Sequence, residues 1–210
     1  MAETTVVHLL RHGEVHNPNG VLYGRLPGYH LSANGRTMAA AAADFFDGLP
    51  VAAVFASPLQ RAQETAAPVA ERLGLEIVTN DRLIESANVL EGKTVTLTKL
   101  AVNPGNWRYL WNPFRPSWGE PYTEVVARMR EAIAQAREAA RGKEAVCVSH
   151  QLPIWVSRLA AEHRPLWHNP KSRQCALGSV TSFTFDGDQL SGVSYAVPPR
   201  RQVPDPDRAQ

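Results

Sequence analysis

The chain has 210 residues, the length of one large domain or two small ones, and can bury a core without disulfide or metal staples. Hydrophobic residues make up 44% and charged residues 20%, which excludes a disordered, collagenous or coiled-coil protein. The formal net charge of +2, from 22 basic and 20 acidic residues, gives no global field for nucleic acid or anionic lipid. No apolar run approaches the roughly 18 residues of a membrane span, and the opening segment MAETTVVHLL reads as a strand rather than a signal peptide. Cys147 and Cys175 lie in apolar contexts without CxxC spacing, so they read as reduced core thiols. The expectation is a cytoplasmic protein with neither nucleic acid nor membrane as partner.

In chain order, residues 5–10, 51–56, 75–78 and 145–149 are short β-branched and apolar runs that suit buried strands. Between them, 38–49 is Ala-rich and ends at Gly48, near an expected C-cap. Residues 57–74 carry helix-start signals, with Ser57 as N-cap, Pro58 at N1 and Gln60 closing a capping box, and the interior Pro68 predicts a kink. Residues 121–142 place Val125, Val126, Met129, Ile133 and Ala136 at helical spacing before Gly142. A fourth helix follows His150. Strands alternating with helices predict an α/β three-layer sandwich, with a mainly parallel central sheet and helices on both faces. The segments SVTSFTF and QLSGVSYAV flank Asp186-Gly187-Asp188, a hairpin signal that predicts an antiparallel edge. Residues 93–120, with Trp107, Tyr109, Trp111, Phe114 and Trp118 among prolines, break every period and read as an irregular aromatic-rich lid insertion. A single domain is therefore expected over 1–197, followed by a disordered Pro-rich tail over 198–210.

The chemistry concentrates at strand ends. Arg11, His12 and Gly13 end the first strand, Ser57 and Arg61 follow the second, and Ser149 and His150 end the fourth. In an open α/β sheet, ligands bind outside the carboxyl ends of strands. Two histidines and two arginines at one edge suit a phosphate, since the arginines would repel a metal cation. A carboxylate should complete the set: Glu85 is best placed, with Glu14 and Glu91 as competitors.

Five segments, LLRHGEVHNP, YGRLPGYHLSANGR, ASPLQRAQETA, DRLIESANVLEG and VCVSHQLPI, resemble the ordered motifs of the histidine phosphatase superfamily, in its phosphoglycerate-mutase-like branch. The likeness runs from about residue 5 to 185. RHGE alone is weak, but RHGE, SPLxRAxxTA, RLxE and a late SH in order are together specific. The resemblance implies that His12 becomes phosphorylated, that Arg11, Arg61 and a protonated His150 hold the phosphoryl oxygens, and that Glu85 is the proton donor. It implies no metal and no cofactor. There are departures. Pro18 stands where the family often has Asn, with Asn17 one residue early; ESANVLEG is shortened; and Gln151-Leu152 replaces the usual Gly-Gly, leaving the Gln151 backbone N–H to reach the phosphate.

The reading that follows is a phosphatase, a phosphomonoesterase hydrolysing a small phosphorylated metabolite through phosphohistidine. The alternatives are a cofactor-dependent phosphoglycerate mutase or related phosphoryl transferase and, from another class, a non-catalytic phosphate-binding regulatory module. Substrate contacts are expected from Asn17, Tyr23, Gly24 and Arg25, with Arg108 and Arg115 as candidates for a second anionic group. His8 reads as a strand residue, and His30, His163 and His168 as surface or structural. An edge strand or the insertion leaves a homodimer open.

Overall fold

A computed structural model describes residues 3–89, 91–93 and 119–199. Most of the expected lid, with Arg108, Arg115 and its aromatic residues, and residues 200–210 of the tail lie outside the described residues. The elements are β1 (Thr4–Arg11), α1 (Ala33–Phe46), β2 (Val51–Ala56), α2 (Gln60–Leu73), β3 (Ile77–Thr79), α3 (Tyr122–Ala139), β4 (Glu144–Ser149), α4 (Gln151–Ala161), β5 (Val180–Asp186) and β6 (Gln189–Ala196). They form one six-stranded sheet in the order β3-β2-β4-β1-β5-β6. The strands β3, β2, β4 and β1 are parallel; β5 and β6 are antiparallel at one edge, joined through Gly187 at positive φ.

Residues alternate along β1 between two cores. Val7 and Leu9 pack beneath α3 and α4 with Phe55, Met129, Ile154 and Phe183. Leu10 points the other way, against α1 and α2, with Phe46, Val69, Val146 and Val148. The sheet is thus covered on both faces, as a parallel sheet with apolar strands requires. The five α3 residues at helical spacing are all buried.

Helix starts depart from expectation. The first helix begins at Ala33, not 38, because Ser32 caps it, its Oγ accepting from the Gly35 N–H at 2.9 Å. Ser57 is not the cap of α2. Leu59 is still extended, the helix starts at Gln60, and the Ser57 hydroxyl, reached by the Leu59 N–H only at 3.4 Å, pairs at 2.8 Å with the His150 ring. The helix then runs unbroken through Pro68 to Gly74 at φ 65°. Gly13 is not used for a positive-φ turn. A Cβ on Gly13 would lie 2.5 Å from the Gly35 carbonyl oxygen, and one on Gly35 would lie 2.0 Å from that of Glu14. The two glycines let the loop after β1 cross the first turn of α1 backbone to backbone. Pro198, expected to open the tail, is buried.

Candidate active site

The parallel strands end together, and main-chain bonds hold their ends in register. The His12 N–H donates to Ser149 O at 3.1 Å and the Ser57 N–H to Val148 O at 3.0 Å. This brings His12, Ser57 and His150, all buried, to one edge, with the two imidazole centroids 5.1 Å apart. Arg61, the second residue of α2, is 1% exposed and reaches the same place, its guanidinium 4.8 Å from the Tyr23 ring centroid and donating to Gly24 O at 2.7 Å. Arg11 donates to Cys175 O at 2.6 Å.

His12 Nδ1 lies 2.7 Å from Gly13 O. A carbonyl only accepts, so Nδ1 carries the proton and Nε2 keeps its lone pair. Burial, then the Arg61 and Arg11 guanidiniums, holds this imidazole well below its ordinary pKa of 6.5. His150 is held well below the same value by burial, His12 and both arginines. The sequence reading expects a protonated His150; these surroundings favour the neutral ring. His150 Nε2 pairs with the Ser57 hydroxyl at 2.8 Å, while its Nδ1 is buried with no hydrogen-bond partner among the described residues. The same holds for Arg11 Nε and Arg61 Nε. Orphaned buried polar atoms are rare, and three of the five among the described residues belong to this cluster, where an acceptor-rich anion would satisfy them.

A cavity of about 270 Å³ opens beside this cluster, lined in part by Arg11, His12, Tyr23, Glu85, Gln151 and Arg173. The Glu85 carboxyl accepts from the Ser86 N–H at 2.8 Å, and burial raises its pKa against the opposing pull of Arg61, Arg11 and Arg173. Its backbone is clamped from three sides. Arg25 donates to Glu85 O, Arg128 of α3 donates to Arg82 O and Ile84 O, and Ser149 Oγ donates to Leu83 O, at 2.6–2.7 Å. The competing carboxylates are engaged elsewhere. Glu14 accepts from Ser32 and Asn34 at the start of α1, and Glu91 accepts from the Asn88 N–H.

Tyr23, Gly24 and Gln151 all line the cavity. Asn17 and Arg25 are not brought to its wall: Asn17 exchanges two hydrogen bonds with Val21, and Arg25 serves Glu85 O and Glu120. His8 bridges Glu144 and Ser182 at 2.8 Å each, and His30 pairs with Glu64. Both cysteines are free and buried, and burial pushes the Cys147 thiol up to about 12 and the Cys175 thiol to about 11. Sequence reasoning missed the roles of Ser57, Arg128 and Arg173. The serine carried a signal, since it opens the SPLQRA segment, but its cap chemistry masked its pairing with His150.

A sequence model of the histidine phosphatase superfamily, branch 1, matches residues 7–197. The chain is 56% identical over 199 residues to protein Rv0525 of Mycobacterium tuberculosis, covering 94% of this chain and 98% of that one. It is 30% identical over 131 residues to glucosyl-3-phosphoglycerate phosphatase of the same species, covering 60% of this chain and 58% of the relative. Among solved structures, Bacillus stearothermophilus YhfR superposes with a TM-score of 0.76 at 26% identity, covering 89% of this chain and 94% of that one. The mycobacterial glucosyl-3-phosphoglycerate phosphatase Rv2419c gives 0.75 at 24% identity, covering 92% and 98%, a likeness of fold.

Proposed function

The chain belongs to the histidine phosphatase superfamily and is an enzyme of the phosphatase type; from that premise we propose that it hydrolyses a small phosphorylated metabolite through a phosphohistidine on His12. The observation that carries this reading is the His12 imidazole, buried between two guanidiniums with its Nδ1–H tied to Gly13 O. A neutral ring with a free Nε2 lone pair is the form that attacks phosphorus. The Nε2–P bond forms as the ester P–O bond breaks, and Glu85, whose pKa burial raises, acts in its protonated form and gives its proton to the leaving oxygen. Glu85 then takes a proton from water as that water attacks phosphorus, the Nε2–P bond breaks, and inorganic phosphate leaves.

The equatorial oxygens accept from Arg11, Arg61, His150 and the Gln151 N–H. A phosphoryl group there gives the orphaned donors their partners, and its negative charge offsets the field that keeps His150 neutral. The small-molecule phosphate ester is the partner this cavity suits.

The test is phosphoenzyme trapping alongside phosphate release. Wild-type protein should release phosphate from nitrophenyl phosphate and form an acid-labile phosphoenzyme, and His12→Ala should lose both. His150→Ala should turn over slowly while still forming some phosphoenzyme. Label recovered on His150 would overturn the assignment, and transfer to an added alcohol in preference to water would turn the reading to a phosphoryl transferase.

A further inference from the structure

One charged group in the cavity has no part in the steps above. Arg173 follows a short 3-10 turn, Pro170–Ser172, in the loop between α4 and β5, and lines the cavity together with Arg11 and Glu85. Its guanidinium is oriented with care. The Nε–H donates to His168 Nε2 at 2.8 Å, and His168 Nδ1 lies 2.7 Å from Leu166 O. The carbonyl forces the proton onto Nδ1, so Nε2 is the acceptor that Arg173 needs. The His168 ring is itself held, stacked on Tyr122 at 5.6 Å and edge-on to Trp155 at 6.0 Å. A chain of Leu166 O, His168 and Arg173 Nε thus fixes the guanidinium at its stem. The guanidinium also meets the Tyr122 side chain and, at longer range, Gln151, with Nη1 to Oε1 at 3.4 Å.

Charge balance gives this arginine a purpose. Glu120, which also lines the cavity, is shared between Arg25 at 2.8 Å and Arg128 at 2.7 Å. Among the described residues Arg11, Arg61 and Arg173 have no ion pair. A phosphomonoester brings about two negative charges at neutral pH. With Glu85 in the protonated form that the proposed first step uses, two guanidiniums match them, and the third, at the cavity wall, is left over. Arginine presents a planar fork that takes a carboxylate or a phosphoryl group through paired N–H bonds.

We infer that Arg173 is a specificity residue that binds a second anionic group of the substrate, a carboxylate or a second phosphoryl, and that His168 is the positioning residue that aims it. The inference rests on the phosphatase reading and narrows its substrate to doubly anionic esters. It gives Arg173 the role that the sequence alone offered to Arg108 and Arg115.

The experiment compares three esters on one three-carbon skeleton: propyl phosphate, 3-phosphooxypropanoate and propane-1,3-diol bisphosphate. Wild-type kcat/KM should favour at least one doubly anionic ester over propyl phosphate by about tenfold or more, the yield of one charge-assisted bidentate pair. Which ester gains separates carboxylate from phosphoryl. Arg173→Gln should lower that preference by about tenfold, and Arg173→Lys, which keeps the charge without the Nε–H, should fall between. His168→Phe should lower it as well, and His168→Gln, which retains an acceptor, should restore part of it. A wild-type preference under about twofold, or a preference unchanged in Arg173→Gln, overturns the inference. Calorimetric binding of the same esters to His12→Ala keeps the two readings apart. A binding preference that persists there and vanishes on adding Arg173→Gln supports the role of Arg173 even if the wild-type protein releases no phosphate, an outcome that would overturn the phosphatase reading alone.

Discussion

His12 and Glu85 are set in opposite directions by the same burial. The imidazole pKa is held well below 6.5, and burial raises the carboxyl pKa above its ordinary 4.5. These shifts open a pH window in which nucleophile and acid are both in their working forms. The phosphorylation rate should therefore persist below pH 6.5, where an ordinary histidine would already be protonated, and should decline on the alkaline side as Glu85 loses its proton. Glu85→Gln should abolish that alkaline decline. It should also discriminate between leaving groups: a high-pKa alkoxide needs the proton and a nitrophenolate hardly does. General acid help is worth roughly 10²–10⁴-fold, so the penalty on an alkyl phosphate should exceed that on nitrophenyl phosphate by about tenfold or more. Phosphoenzyme formation followed by rapid quench measures this, and equal penalties would point away from acid catalysis by Glu85.

At the scale of elements, the crossing of the loop after β1 over α1 makes an unusual prediction for a glycine. Gly→Ala inside a helix ordinarily stabilises by roughly 0.5–1 kcal/mol. At Gly35 the new methyl would sit 2.0 Å from the Glu14 carbonyl oxygen, a backbone atom that cannot swing aside. Gly35→Ala should therefore destabilise by about 1–3 kcal/mol and lower turnover, because the displaced segment adjoins His12. Thermal unfolding and kcat on one preparation check both.

This crossing also shows what the sequence could and could not disclose. The strands were legible because four short apolar runs alternate with helices, and the hairpin because Asp186-Gly187-Asp188 sits between two β-rich runs. The helix interiors followed from apolar spacing, as in α3. Helix starts were less legible, since Ser32 and Ser57 carry the same cap chemistry and only the fold sends one to Gly35 and the other to His150. His12, Arg61 and His150 were legible as strand-end and helix-start residues. Arg173 was not: it lies in an irregular loop, and its place beside Arg11 depends on how that loop returns to β5. Nor could spacing disclose that Arg25 braces the backbone of Glu85, a contact between residues 60 apart in the chain.

For the whole molecule, buried histidines govern stability toward acid. His8, His12 and His150 all have folded pKa values below 6.5. Below that pH the unfolded chain binds protons that the folded protein refuses, so stability is full above about 6.5 and is lost as pH falls toward the folded values. Each group contributes up to about 1.4 kcal/mol per pH unit across its window. Glu85 acts oppositely, but only between 4.5 and its raised folded value, where rising pH lowers stability. With His168, also lowered by burial, four histidines outweigh one carboxyl, so the melting temperature should fall from pH 7 to pH 5, and His150→Asn should show a shallower decline.

The place of β1 in the sheet has a consequence in time. Its neighbours are β4 and β5, and its side chains meet theirs across separations as long as 136 residues, from His8 to Glu144, and 182 residues, from Thr4 to Asp186. The strand that leads into His12 leaves the ribosome ahead of both. At about 5–20 residues per second, it waits roughly 10–40 s for β5 to be made. Until β4 is made neither edge of the apolar run Val6–Leu10 can be covered, and until β5 is made one edge stays open, an unpaired strand edge of the kind that invites aggregation or a chaperone. A chain that stops short of Ser149 cannot hold His12 against Ser149 O, so the edge that gathers His12, Ser57 and His150 is assembled only after β4 has been delivered.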